Sequence, residues 1–126
     1  MNPILPREIY IPDVEARQYA DGRMYIYGSA DISGDTFYCS KKYQVFSSEN
    51  LIDRENHGES FNMNKVPWAS GRLFAPDSIY RDGTYYLYFC CSDKSEGVAV
   101  SEEPQGPFCE PVAIDIADGD GIDPAV

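Results

Sequence analysis

The sequence has no C-x-x-C pair, no apolar run of membrane-spanning length, one histidine, one tryptophan, and half as many basic as acidic residues. Each shortage removes a class of function. Ten Lys and Arg against 21 Asp and Glu give a net charge of -11. Phosphate backbones and anionic membrane surfaces are held by clusters of Lys and Arg, so neither nucleic acid nor a membrane is an expected partner. A neutral ligand such as a sugar is compatible with that charge, and so is simple solubility. The four cysteines, Cys39, Cys90, Cys91 and Cys109, lack the spacing of a zinc site. The opening Met1-Asn2-Pro3-Ile4-Leu5-Pro6 has no apolar h-region, so no signal peptide is expected, and reduced thiols in a cytoplasm follow. No long window carries a helical period. His57, in the polar run Glu55-Asn56-His57-Gly58, reads as a surface residue.

What is present is strand and turn chemistry. Aromatics make up 13% of the 126 residues, ten of them tyrosines, and with Gly, Pro, Val and Ile they favour strands and turns over helices. The clearest stretch is Phe74-Ala75-Pro76-Asp77-Ser78-Ile79-Tyr80-Arg81-Asp82-Gly83-Thr84-Tyr85-Tyr86-Leu87-Tyr88-Phe89. It reads as a strand, an Asp-Gly turn and a second strand. The same arrangement occurs earlier: Pro12-Asp13, a first strand over 13–17, Asp21-Gly22, then Met24 to Ser29. Tyr43 to Ser48 and Gly97 to Ser101 supply third strands. Fourth strands are expected near 54–59 and 111–114. Ile122-Asp123-Pro124 begins the pattern again.

A four-strand unit recurring every ~45 to 65 residues is the signature of propeller blades. The expected fold is all-β, built of four-stranded antiparallel blades. The first blade runs over about 9–60, the second over about 74–116, and a third starts at 121–126. Two blades do not close a ring, so the chain reads as the N-terminal part of a β-propeller catalytic domain. The sheet faces and edges left open favour self-association.

Asp13, Asp77 and Asp123 each stand beside a proline at a strand start. In a propeller such positions converge at one mouth of the central channel. Clustered carboxylates are what glycoside hydrolysis needs: one activates water, another protonates the leaving oxygen, and a third raises the acid's pKa by like-charge repulsion. The competing reading of each aspartate is a turn former that accepts backbone N–H groups.

Several stretches, in order along the whole chain, carry a resemblance. They are Asn2-Pro3-Ile4-Leu5 leading to Pro12-Asp13, Val45-Phe46-Ser47-Ser48-Glu49-Asn50-Leu51, Phe74-Ala75-Pro76-Asp77, Asp82 to Phe89, Gly97 to Ser101 with Pro104-Gln105-Gly106-Pro107-Phe108, and Ile122-Asp123-Pro124-Ala125-Val126. Together they resemble family 43 of the glycoside hydrolases, the five-bladed β-propeller arabinofuranosidases, xylosidases and arabinanases. The resemblance implies that Asp13 is the general base activating water for inversion and that Asp123 tunes and orients the general acid. The family's acid is a glutamate of a later blade, beyond Val126. Two departures stand out. Phe74 replaces the family's usual Trp, and Pro12 precedes Asp13 where the family usually has Asp before Pro. Phe74, Asp77 and Asp31 are the expected substrate contacts.

The expected function is inverting hydrolysis of arabinofuranosyl or xylosyl linkages in plant-polysaccharide oligosaccharides, with this chain inactive by itself for want of the acid. No cofactor and no metal are expected within it, and the resemblance leaves room for a channel calcium in the intact protein. A non-catalytic carbohydrate-binding or scaffold propeller is the reading from another class. A family 32-like retaining hydrolase would share the fold.

Overall fold

The computed structural model describes residues 5–115 and 122–126. The Asn2-Pro3-Ile4 part of the opening motif, Ile116 at the end of the second blade and Gly121 at the expected start of a third lie outside the described residues. The described chain forms two four-stranded antiparallel sheets. The first takes β1 (Glu15–Gln18), β2 (Met24–Ser29), β3 (Lys42–Ser48) and β4 (Glu55–Asn62) in that order. A single 3-10 turn, Met63–Lys65, leads out of it. The second sheet repeats the layout with β5 (Asp77–Arg81), β6 (Thr84–Cys90), β7 (Glu96–Ser101) and β8 (Cys109–Ile114). Sequential up-and-down order with each strand pairing its chain neighbour is the blade topology expected from the repeat.

Local chemistry explains the hairpins. Between β5 and β6 only Asp82 and Gly83 intervene, at φ 50° and 88°. Two positive φ values define the turn whose twist matches that of the flanking strands. The β1–β2 turn is longer. Its Gly22 sits at φ 79°, and Asp21 Oδ1 accepts the Arg23 N–H at 3.0 Å.

The two sheets pack face to face around one aromatic core. Tyr25 and Tyr27 of β2, Tyr43 and Val45 of β3 and Phe61 of β4 meet Leu87 and Phe89 of β6, Ala99 of β7 and Phe108. Phe61 and Phe89 approach with ring centroids 4.8 Å apart. Such rings each bury roughly 150–250 Å² and dominate the driving force for the contact. Polar ties to backbone carbonyls also span the sheets. The Tyr27 hydroxyl donates to the Pro104 carbonyl at 2.5 Å, the Phe108 N–H to the Ser60 carbonyl at 2.8 Å, and the Tyr43 hydroxyl to the Phe74 carbonyl at 2.6 Å. Trp68 plugs the connection between blades. It stacks on Phe89 at 6.0 Å, over the position of Gly97.

Two local expectations change. His57 is half-buried rather than a surface residue: Nε2 lies 2.7 Å from Ser47 Oγ and the ring stacks 6.2 Å from Tyr25. A Gly at 58, at φ 77°, lets β4 bend so that the imidazole turns onto the sheet. The first strand starts at Glu15, not Asp13, because the chain before it crosses over Gly28. A Cβ there would stand 2.1 Å from Ile11 Cγ2.

Candidate functional site

The shortened first strand separates the three aspartates into two kinds. Asp13 and Asp123 are exposed and hold left-handed backbone, at φ 50° and 54°. Asp tolerates that region better than most residues, and non-glycine residues held there cluster at functional sites. Asp77 is different. It is an ordinary strand residue, paired with Tyr88 and 2% exposed. Its Oδ1 accepts from Arg17 Nε at 3.1 Å and Nη2 at 2.7 Å, and its Oδ2 accepts from Arg17 Nη2 at 2.7 Å and from the Val126 N–H at 2.6 Å. The sequence reading places Asp77 among the substrate contacts; the structure places its carboxylate inside a bidentate ion pair between β1 and β5. The pair raises the Arg17 pKa, chiefly through the hydrogen bonds to Asp77.

Asp31 lies just past the end of β2, where its N–H donates to the Tyr10 carbonyl at 3.0 Å. That bridge brings the segment leading to Asp13 alongside it. Asp31 Oδ1 is buried with no hydrogen-bond partner among the described residues. Burial raises the pKa of this carboxyl. The Cys39 N–H opposes the rise, the negative charge of Asp13 adds to it, and Arg72 moderates it. A desolvated carboxylate with an unpaired oxygen beside a second, exposed carboxylate is the kind of perturbed pair found at functional sites.

Residues 72–74 and the loop 32–39 form the wall next to these carboxylates. Arg72 Nη1 donates to the Cys39 carbonyl at 2.5 Å and lies 3.6 Å from Asp35, and its guanidinium stands 5.2 Å over the Phe37 ring. Phe74 is half-buried. Its carbonyl is held by Tyr43 and its N–H donates to the Cys90 carbonyl at 3.0 Å. Tyr38, 72% exposed, stacks on Phe74 with centroids 5.9 Å apart and planes at 25°. An exposed stacked aromatic pair beside open carboxylates is the kind of surface on which a sugar ring packs.

Two thiols lie near the carboxylates of the site. Burial pushes the Cys39 thiol up to about 11, with Asp31 and Asp13 adding to the shift. Burial likewise pushes Cys90 up to about 11, opposed by a hydrogen bond from the Asp123 backbone N–H. Sequence reasoning did not find Tyr38, Arg72 or the two thiols. The only hint was the Phe37-Tyr38 doublet in a polar loop. Among the described residues no group of three or more His, Cys, Asp or Glu is disposed to hold a metal ion.

Comparison with known proteins gives one consistent result. The profile of Glycosyl hydrolases family 43 matches residues 1–126. Xylosidase/arabinosidase 43A of Humicola insolens is 38% identical over 140 residues, taking in 100% of this chain and 42% of that protein. A xylosidase/arabinosidase of Bacteroides ovatus is 38% identical over 120 residues, 84% of this chain and 36% of that protein. Among solved structures, a beta-xylosidase/alpha-arabinofuranosidase from a compost microbial metagenome, in complex with xylotriose and in a calcium-free form, superposes with a TM-score of 0.78. It is 36% identical and covers 93% of this chain and 38% of that one. The chain thus spans about two fifths of the length of these relatives.

Proposed function

The chain belongs to family 43 of the glycosyl hydrolases, and on that premise we propose that the protein carrying it hydrolyses xylosyl or arabinofuranosyl linkages of plant-polysaccharide oligosaccharides with inversion. Asp13 acts as the general base and Asp123 tunes the general acid, a glutamate supplied by chain outside these 126 residues. The observation that carries this reading is the shared geometry of Asp13 and Asp123. Both are exposed carboxylates in left-handed backbone at the head of a segment entering the molecule.

In the proposed mechanism Asp13 takes a proton from the water that attacks the anomeric carbon. It works beside Asp31, whose buried, unpartnered Oδ1 adds a second carboxylate to the site. Phe74, backed by Tyr38, forms an apolar wall for the ring. Asp123 places a second negative charge where a neighbouring glutamic acid would be kept protonated by like-charge repulsion. An inverting pair stands roughly 6.5–9.5 Å apart to admit water, and this chain holds one half of it. By the same reasoning these 126 residues have no turnover of their own. No step above depends on a channel calcium. The four unpaired thiols suit a reducing compartment such as the cytoplasm. The outer face of the second sheet, with Ile79 and Val112 exposed, is the surface for self-association.

Asp13→Asn in the protein at its relatives' length is the test, assayed with nitrophenyl xyloside and arabinofuranoside. The expected result is a loss of turnover of at least about 10²-fold with sugar affinity retained, the contribution general bases typically make. Unchanged turnover would remove Asp13 from the base role. A wild-type protein that binds xylotriose with no turnover would favour a carbohydrate-binding propeller instead.

A further inference from the structure

The Arg17–Asp77 pair lies outside the chemistry just described, yet it touches both segments that carry the functional carboxylates. Arg17 stands four residues after Asp13, in β1. Val126 stands three residues after Asp123. Asp77, on β5, holds both: Arg17 through the bidentate pair at 2.7–3.1 Å, and the Val126 N–H at 2.6 Å. Arg17 Nη2 also donates to the Val126 carbonyl at 2.8 Å. The three groups therefore close a triangle, with each partner bonded to the other two. Asp77 is fully committed, since Oδ1 additionally accepts its neighbour Ser78 N–H at 2.6 Å. Glu15 Oε1 lies 3.2 Å from the same Arg17 Nε and adds a second negative charge beside the guanidinium.

We infer that Arg17 and Asp77 are positioning residues that set the separation of Asp13 from Asp123. The inference rests on the proposed roles of those two aspartates. The physical basis is short reach. Four residues of chain reach at most about 13 Å and three about 10 Å, so each carboxylate lies within a short reach of the same pair. The Asp77 carboxylate is buried while the Arg17 side chain is 34% exposed, and the bidentate fork fixes orientation as well as distance. The Asp13 segment keeps its place through the pairing of β1 with β2 when the fork is lost, whereas the Asp123 segment shifts. Displacement of Asp123 lowers the pKa of the acid it faces, so protonation of the leaving group suffers while attack by water does not.

The test uses Asp77→Asn in the full-length protein, with Arg17→Lys as the variant to use if the first does not accumulate. Asn keeps the shape but replaces one acceptor oxygen with a donor, so it satisfies either Arg17 or Val126. Lys keeps the charge and loses the fork. The expected result for either is a fall in kcat/KM of about 10-fold or more on xylobiose, part of the general-acid contribution. On dinitrophenyl xyloside, whose leaving group needs no proton, the fall is no more than about 3-fold by the same reasoning. The alkaline limb of the pH profile moves to lower pH. Equal losses on both substrates with the limb unmoved would show a merely structural ion pair and overturn the inference. Amide exchange at Val126 decides independently of catalysis. Protection in the wild type that is lost in Asp77→Asn supports the clamp, and equal exchange in both overturns it. A wild type with no turnover on any glycoside counts against the functional reading, and the exchange result still judges the clamp.

Discussion

Gly97→Ala asks how closely the two blades are pressed together. Gly97 lies in β7 beneath Trp68, opposite Phe89 across the ladder. An added Cβ would stand 2.5 Å from Phe89 Cζ, 2.7 Å from Trp68 Cη2 and 2.9 Å from the Val112 carbonyl oxygen. These three neighbours differ in how they can yield. Trp68 is 37% exposed and can swing outward. Phe89 is 0% exposed and packed against Phe61, so its movement disturbs the core. The Val112 carbonyl belongs to β8, whose pairing with β7 fixes its distance. Overpacking of this kind costs about 1–3 kcal/mol. Alanine returns about 0.4–1 kcal/mol by restricting the unfolded chain. Because two of the three contacts are rigid, the clash wins, and the net loss is about 1–2 kcal/mol. Urea unfolding followed by the fluorescence of the lone tryptophan measures it, and the native emission should shift red as the indole is pushed out. Trp68→Ala in the Gly97→Ala background removes one clash, so the two changes, compared by far-UV circular dichroism because the tryptophan is then absent, should couple by at least about 0.5 kcal/mol. A Gly97→Ala midpoint equal to or above wild type would show that the interface is looser than these distances state.

Tyr27→Phe removes the donor to the Pro104 carbonyl, at a site where both partners are buried. It should destabilise by about 1–3 kcal/mol in the same urea experiment, because no water reaches the orphaned carbonyl. Asp31→Asn should do the opposite at neutral pH. Burial raises the folded-state pKa of Asp31 above its ordinary 3.8, so its charge opposes folding once the pH exceeds the raised value. The variant should gain roughly 1 kcal/mol at pH 7, the lower end for relief of an unpaired buried acceptor, and the gain should vanish below pH ~3.8; a gain independent of pH would refute the desolvation argument. Burial pushes the thiols of Cys39 and Cys90 up to about 11 and that of Cys91 to about 12, while Cys109 is exposed. Iodoacetamide near pH 8 should therefore label Cys109 quickly and the other three only after denaturation, which mass spectrometry reads directly.

The blades were legible because their signals are local. Asp82-Gly83 between alternating aromatics specifies a two-residue hairpin whatever surrounds it, and Met24 to Ser29 emerges as β2 with the expected bounds. The candidate base and tuner were reached by counting from that hairpin, through motifs that the family profile also matches. Counting put Asp77 at the head of its strand, where β5 does start; the first strand is the one that departs from the repeat. In the repeat Asp77 shares a place beside proline with Asp13, but Asp77 is in register with Tyr88, whereas the first strand starts only at Glu15. The difference is made by Ile11 passing over Gly28, a contact between residues 17 apart.

What the sequence determined by itself is thus the element order, the turns and the identity of the carboxylates, since strand pattern and turn chemistry act over a few residues. The tertiary structure alone decided the surroundings of each carboxylate. A buried charge must find a partner, and the partner of Asp77 is Arg17, 60 residues away. Asp31 owes its raised pKa to burial beneath a loop, and Phe74 its stacking partner to Tyr38, 36 positions earlier in the chain. Desolvation and ion pairing depend on what surrounds a group in three dimensions, and no local pattern encodes that.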